Sequence, residues 1–195
     1  MSEHKKLSIQ EMNRLTTEAF HAARKLPFVV VLDNVRSRHN VGAVFRTADA
    51  FRMERVYLCG ITGCPPDQEI HKTALGAEES MDWTYRKDTL EVVRELHEAG
   101  YSVYAIEQAA NSVTLEEFTG YGLQVTGYGL QVTGKGIAVI LGHEVFGVQQ
   151  KVIDACDGCI EIPQYGTKHS LNVSVTAGIV LYTIANRLIS TNPDL

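Results

Sequence analysis

Five consecutive apolar residues, Phe28-Val-Val-Val-Leu32, run without a polar residue between them. A strand with one wet face alternates. A strand covered on both faces does not, and that is the situation of a parallel sheet with helices above and below. Arg55 to Cys59, Tyr101 to Ile106, Gly136 to Leu141 and Cys159 to Ile162 read as further strands, with a more polar one near Met81 to Tyr85. Helical spacing recurs between them. Val41, Val44, Phe45, Ala48 and Phe51 lie along one side of a helix from Val41 to Arg52. Gln68 to Leu75 reads as a short helix. Thr89 is placed to cap a helix from Leu90 to Ala99, and Gly100 to stop it. Val148 to Ala155 and Leu171 to Ile189 complete the set. Ile9, Met12, Leu15, Ala19, Phe20 and Ala23 predict an amphipathic N-terminal helix ending before Pro27. Strands alternating with helices make an α/β fold, and 195 residues at 45% hydrophobic content suit one domain.

The formal net charge is -5, so the surface as a whole does not attract nucleic acid; local basic patches still can. Cys156-Asp-Gly-Cys159 has a metal-like spacing, but Cys59 and Cys64 are separated by four residues, so a four-cysteine zinc site is not favoured. Buried thiols in a reducing cytosol and no bound metal are the expectation. The stretch MSEHKKLSIQEMNR has no apolar signal core, and the apolar runs fall short of a membrane span, so a cytoplasmic location without membrane contact is expected. One segment stands apart. Gly120-Tyr-Gly-Leu-Gln-Val-Thr126 is followed by an identical copy, Gly127 to Thr133. Two copies are too few for a solenoid. A glycine-rich hairpin, a flap and a neutral duplication in a tolerant loop all fit, and the last is favoured.

Polar loops that follow strands are where α/β proteins bind ligands. Two are well marked. Asp33-Asn-Val-Arg-Ser-Arg-His-Asn-Val-Gly-Ala-Val-Phe-Arg46 sets two asparagines and three arginines beside a strand end. Ile160-Glu-Ile-Pro-Gln-Tyr-Gly-Thr-Lys-His-Ser-Leu-Asn172 leads from a short strand through a glycine-containing loop to a helix start. Neither GxxxxGK[ST], nor G-x-G-x-x-G after the first strand, nor GxSxG occurs, which argues against P-loop, dinucleotide and serine-hydrolase sites.

Three segments, in order, resemble the SpoU/TrmH class of SPOUT RNA methyltransferases: Asn40-Val-Gly-Ala-Val-Phe-Arg46-Thr-Ala, Ile140-Leu-Gly-His-Glu144-Val-Phe-Gly147-Val and Ile162-Pro-Gln-Tyr-Gly166-Thr-Lys-His-Ser170-Leu-Asn172-Val-Ser-Val. The resemblance covers roughly Phe28 to Ile184. It implies a parallel sheet flanked by helices with a C-terminal trefoil knot, and S-adenosylmethionine-dependent methylation of a ribose 2'-hydroxyl in tRNA or rRNA. It also implies an obligate homodimer. Residues 1–26 are then an N-terminal helical extension, and 27–190 the methyltransferase domain with a glycine-rich insertion at 120–134. That insertion is the main departure from the family pattern.

By the same resemblance Arg46 is the catalytic arginine and Asn40 its neighbour, on a helix that begins near Asn40 and projects Arg46 at the site. The family assigns hydroxyl activation to this arginine. A guanidinium stays protonated, so phosphate binding and stabilisation of developing alkoxide charge is the favoured role. Glu144 organises the site loops and could hold Asn40 or Arg46 in place. Ser170 could cap the last helix or turn its hydroxyl to the substrate, two roles that do not exclude each other, and Asn172 stands beside it. His143 departs from the family's usual Asn or Ser and is expected to be peripheral. Ile106, Glu107, Leu141, Gly142, Ile160, Ile162, Pro163 and Leu171 are expected to form the cofactor pocket. Arg36, Arg38, His39, Arg52 and Arg55 are read as a basic face for RNA, holding phosphates without choosing sequence. With no sizeable RNA-binding domain before the catalytic one, tRNA is favoured over rRNA. The alternative is a non-catalytic RNA-binding protein that keeps the fold. An S-adenosylmethionine-dependent enzyme acting on another substrate is a weaker third reading.

Overall fold

The computed structural model describes residues 4–8, 10–118, 123–126, 129–132 and 134–191. Its elements in chain order are α1 (Thr17–Ala22), β1 (Leu26–Asp33), α2 (Arg38–Ala50), β2 (Met53–Cys59), α3 (Gln68–Ala74), α4 (Ala77–Ser80), β3 (Trp83–Arg86), α5 (Thr89–Glu98) and β4 (Tyr101–Ile106). They continue with β5 (Val113–Thr114), β6 (Leu123–Thr126), β7 (Gly129–Val132), β8 (Gly136–Leu141), α6 (Gln150–Ile153), β9 (Gly158–Glu161) and α7 (Val173–Thr191).

The main sheet has the order β3-β2-β1-β8-β4-β9-β5, and every described pair in it is parallel. Residues 28–32 are buried throughout because β1 packs on both faces. Phe28, Val30 and Leu32 join a core with α2 and α7 residues, while Val29 and Val31 join a second core with α5 and α6 residues. Truncating a buried leucine such as Leu32 to alanine should cost about 2–5 kcal/mol. The chain passes from β1 outward to β3, returns to β4, and only later inserts β8 between β1 and β4. The loops leaving β1, β4, β8 and β9 therefore crowd together at the carboxyl ends of neighbouring strands, the place where open parallel sheets form a crevice.

Several element ends differ from expectation. The N-terminal helix is confined to Thr17–Ala22, capped by Thr16 Oγ1 accepting from Ala19 N at 3.2 Å. Met12 and Leu15 are exposed, and only Phe20 on that helix is buried. A short amphipathic run without a surface to pack on does not hold a helix. Ile9 lies outside the described residues. Helix α2 starts three residues before Val41 because Ser37 Oγ accepts from Asn40 N at 3.3 Å. Asp88, not Thr89, caps α5, its carboxylate accepting from Leu90 N at 3.1 Å.

The repeat segment yields a hairpin. β6 and β7 pair antiparallel, with Leu123 opposite Val132. Gly120, Tyr121, Gly122, Gly127, Tyr128 and Thr133 lie outside the described residues. In α7, Val173–Ser190 is long and apolar enough by length and composition to cross a membrane, with mean hydropathy 1.4. The expectation that no run approaches a span is corrected by this helix. Its inner face, with Ala177, Val180, Leu181, Ile184, Ala185 and Leu188, is buried in the protein core.

Candidate functional site

Glu144 follows β8 on a tight turn and gathers the site. Its carboxylate accepts from Arg36 N at 3.0 Å, Ser37 N at 2.8 Å and Asn40 Nδ2 at 3.0 Å. Burial alone would raise its pKa; the hydrogen bonds from Ser37 and Arg36, with Asn40, outweigh that and hold it below the usual carboxylate range. Two loops more than a hundred residues apart are thus fastened by one charge, and the free N–H groups before α2 are satisfied. A carboxylate so occupied acts as a brace rather than a base.

The turn after β8 is fixed from both sides. His143 and Gly147 exchange backbone hydrogen bonds at 3.0 and 2.8 Å. Glu107, at the end of β4, accepts from Val148 N at 3.0 Å and Gln108 N at 3.0 Å. Gly147 has φ +67°, and a Cβ there would stand 2.0 Å from a Glu107 oxygen. No other residue fits that position without displacing the Glu107 carboxylate. His143 Nδ1 accepts from Val145 N at 3.0 Å, so that lone pair is not free for proton transfer. Gln108 Nε2 donates to His169 O at 2.9 Å and holds the loop after β9 against the end of β4.

These loops enclose a cavity of about 270 Å³, near the lower end of the roughly 300–1,000 Å³ common for small-ligand sites. Ile106, Glu107, Leu141, Gly142, Ile160, Ile162 and Leu171 line it, along with Glu144 and Ser170. Pro163, Asn40, Asn172 and Arg46 do not. Asn172 caps α7, its Oδ1 accepting from Ser174 N at 2.8 Å, so the capping role open to Ser170 falls to Asn172 and Ser170 stays on the cavity wall. His143 also lines the cavity. Glu161 lines it too, and Gln108, Phe146, Gln164, His169, Val173 and Thr176 are further wall residues that sequence reasoning left out. The alternating positions after β9 were the one signal available for Gln164. Among the described residues, three carboxylates and no lysine or arginine face the cavity.

Arg46 does not project into this cavity. It is exposed on α2, without a hydrogen-bond or ion-pair partner among the described residues. Six residues of helix separate it from Asn40 by about 9 Å and about a third of a turn. The expected basic face is also divided. Arg38 pairs with Asp67 at 2.6 Å and His39 with Glu69 at 2.9 Å, near the start of α2 beside exposed Arg36. Arg52 follows the other end of α2, and Arg55 lies early in β2 beside Thr84 at 3.4 Å. A helix of 13 residues carries Arg52 and Arg55 roughly 20 Å away, to the amino ends of the strands. The four cysteines are free. Among the described residues the group able to crowd a metal ion is His71, Glu78 and Glu79, away from the cavity, and it includes no cysteine.

Comparison with known proteins adds to this geometry. The SpoU rRNA Methylase family matches residues 27–182. The chain is 30% identical over 177 residues to the tRNA (guanosine(18)-2'-O)-methyltransferase of Thermus thermophilus, covering 88% of this chain and 81% of that one. It is 28% identical over 174 residues to the 23S rRNA (guanosine-2'-O-)-methyltransferase RlmB of Vibrio parahaemolyticus, covering 89% of this chain but 64% of that one. Among solved structures, the AdoMet-bound rRNA methyltransferase of Sinorhizobium meliloti superposes with a TM-score of 0.70 at 26% identity, over 86% of this chain and 59% of that one. The chain thus spans less than two thirds of these two rRNA-directed relatives.

Proposed function

The chain belongs to the SpoU rRNA Methylase family, and on that premise we propose that it methylates a ribose 2'-hydroxyl in structured RNA with S-adenosylmethionine as donor. The observation that carries this reading is Glu144, which joins the Asn40 loop to the rim of the cavity. Residues 27–190 form the methyltransferase domain, with 1–26 as an extension, 120–134 as an insertion and the segment around α7 forming a trefoil knot. The relatives' guanosine-directed activities support RNA as substrate. Among RNAs, tRNA is proposed ahead of rRNA as the substrate to test. A cytoplasmic location accompanies that substrate.

The cavity suits the cofactor's chemistry. Ile106, Leu141, Ile160, Ile162 and Leu171 offer an apolar slot for a purine, and Glu107, Glu144 and Glu161 set a negative field for a sulfonium and an ammonium. The bound cofactor supplies the electrophilic methyl group. This chain's residues align the ribose against it, and alignment accounts for a large part of such a rate. Ser170 offers a hydroxyl at the cavity wall to the incoming ribose.

Arg46 completes the site of a partner subunit in a homodimer. Val175, Ile179, Tyr182 and Ile189 form an exposed apolar stripe along α7. Tyr182 meets Phe51, just past the end of α2, with ring centroids 6.0 Å apart. A stripe of this kind on a helix packed against α2, the helix that carries Arg46, supports a face that a second copy covers. Across it, a guanidinium held near the ribose binds the adjacent phosphate and stabilises the charge developing on the 2'-oxygen.

The test is transfer of labelled methyl from S-adenosylmethionine to separate unmodified tRNA and rRNA pools, with Arg46→Ala beside the wild type. Ribose-linked label in the tRNA pool, lost in the variant, is the expected result. A folded, cofactor-binding dimer that labels neither pool would favour the non-catalytic RNA-binding reading.

A further inference from the structure

A second cavity, of about 570 Å³, adjoins the first and shares Glu107, Gln108 and Phe146 with it. We propose that this cavity receives the guanine base of the target nucleotide, with Phe146 as its stacking wall and Asp154 and Gln150 reading its edge. The inference rests on the RNA ribose methyltransferase reading above.

Phe146 is the first ground. It is 82% exposed, and its ring touches His143 at a centroid distance of 5.0 Å. Its backbone is held by the His143–Gly147 pair of hydrogen bonds and by the bond from Val148 N to Glu107. An aromatic ring presented to solvent on a braced turn, between two cavities, is a platform for a flat partner whose ordering cost is already met. A ribose at the mouth of the first cavity carries its base one glycosidic bond away, across this shared wall.

The second ground is polarity. Asp154 Oδ1 accepts from Gln150 Nε2 at 2.8 Å. The other carboxylate oxygen of Asp154 and the side-chain carbonyl of Gln150 have no hydrogen-bond partner among the described residues. Neighbouring acceptors match neighbouring donors, and guanine presents its ring N–H beside its exocyclic amine. Adenine, cytosine and uracil each offer a single donor group on that edge. Cys159, also on the wall, gives the cavity a chemical reporter.

The experiment irradiates the full-length protein, with S-adenosylhomocysteine, in the presence of tRNA transcripts carrying 6-thioguanosine or 4-thiouridine, and maps crosslinked tryptic peptides. The 6-thioguanosine transcripts should crosslink to the peptides bearing Phe146 or Cys159. Phe146→Leu and Asp154→Asn should each lower that yield about tenfold, as for loss of one stacked or paired base, and Asp154→Asn, which lines only the second cavity, should leave S-adenosylmethionine affinity unchanged. Crosslinks elsewhere, none at all, or full yield in both variants overturn the base site. Equal crosslinking by 4-thiouridine overturns the guanine assignment. Methyl transfer by the same protein is scored separately. Transfer without crosslinks in this cavity removes the base site and leaves the enzyme reading; crosslinks here without transfer do the reverse.

Discussion

Asn40 Nδ2 donates to Glu144 Oε1 at 3.0 Å, joining the first turn of α2 to the turn after β8. The same carboxylate also accepts from the backbone of Ser37 and Arg36. Removing its charge therefore loosens a loop as well as a side chain. Glu144→Gln should lower stability by about 1–3 kcal/mol, since an amide cannot accept at both oxygen positions. Methyl transfer should fall further than stability. Urea unfolding alongside the transfer assay checks both.

The pH dependence of that brace has a definite sign. The folded pKa of Glu144 lies below its ordinary value of 4.5. Its contribution is present in full above that value and is lost as pH falls through the lower, folded pKa. Unfolding free energy of wild type minus Glu144→Gln should be constant near neutrality and shrink below about pH 4.5. A difference that stays constant into acid would show that the charge does not hold the loops.

Arg46→Ala should lose at least about a hundredfold in transfer rate, the scale of one lost charge-stabilising donor, with fold and cofactor affinity retained. Mixing it with Glu144→Ala separates two arrangements. If Arg46 serves the partner's cavity, hybrid dimers hold one intact site, and activity returns to about a quarter of wild type. If it serves its own, mixing restores nothing.

Gly147→Ala would place a methyl group 2.0 Å from the Glu107 carboxylate, at φ +67°. The turn must shift to make room, and it forms part of the cavity wall. Calorimetry should show S-adenosylmethionine affinity reduced about tenfold or more, given the roughly 1–3 kcal/mol cost of such strain.

Asp33 is fully buried at the end of β1. It accepts from Thr89 Oγ1 at 2.6 Å, from Gln149 Nε2 at 2.8 Å and N at 3.1 Å, and from Asn34 Nδ2 at 2.9 Å. Asp33→Ala would strand these donors and should cost about 3 kcal/mol, a fall in Tm of roughly 6–12 °C for a chain of this size. Thermal unfolding followed by circular dichroism measures it.

Ile179→Glu together with Tyr182→Glu puts charge in the α7 stripe, where both side chains are exposed. Light scattering should find the proposed dimer for the wild type and a folded monomer for the variant. A wild-type monomer would count against the dimer and against Arg46 acting in trans.

The sequence alone determined the sheet and the parts of the site that sit on strand ends. Phe28 to Leu32 announce a strand buried on both faces because two cores need apolar side chains at every position. Ile106, Leu141 and Ile160 were expected in one pocket from the family resemblance, and they line one cavity because β8, β4 and β9 are neighbours with their carboxyl ends together. What only the tertiary structure decided is which groups meet across loops and along helices. Periodicity gave Arg46 its place on α2 but not its distance from the cavity, which follows from helical rise and from what packs beside it. Thr89 is turned to Asp33, Asn172 caps α7, and Phe146 stands between two cavities. Those contacts join segments far apart in the chain, so they depend on β8 entering between β1 and β4, and no local pattern encodes that insertion.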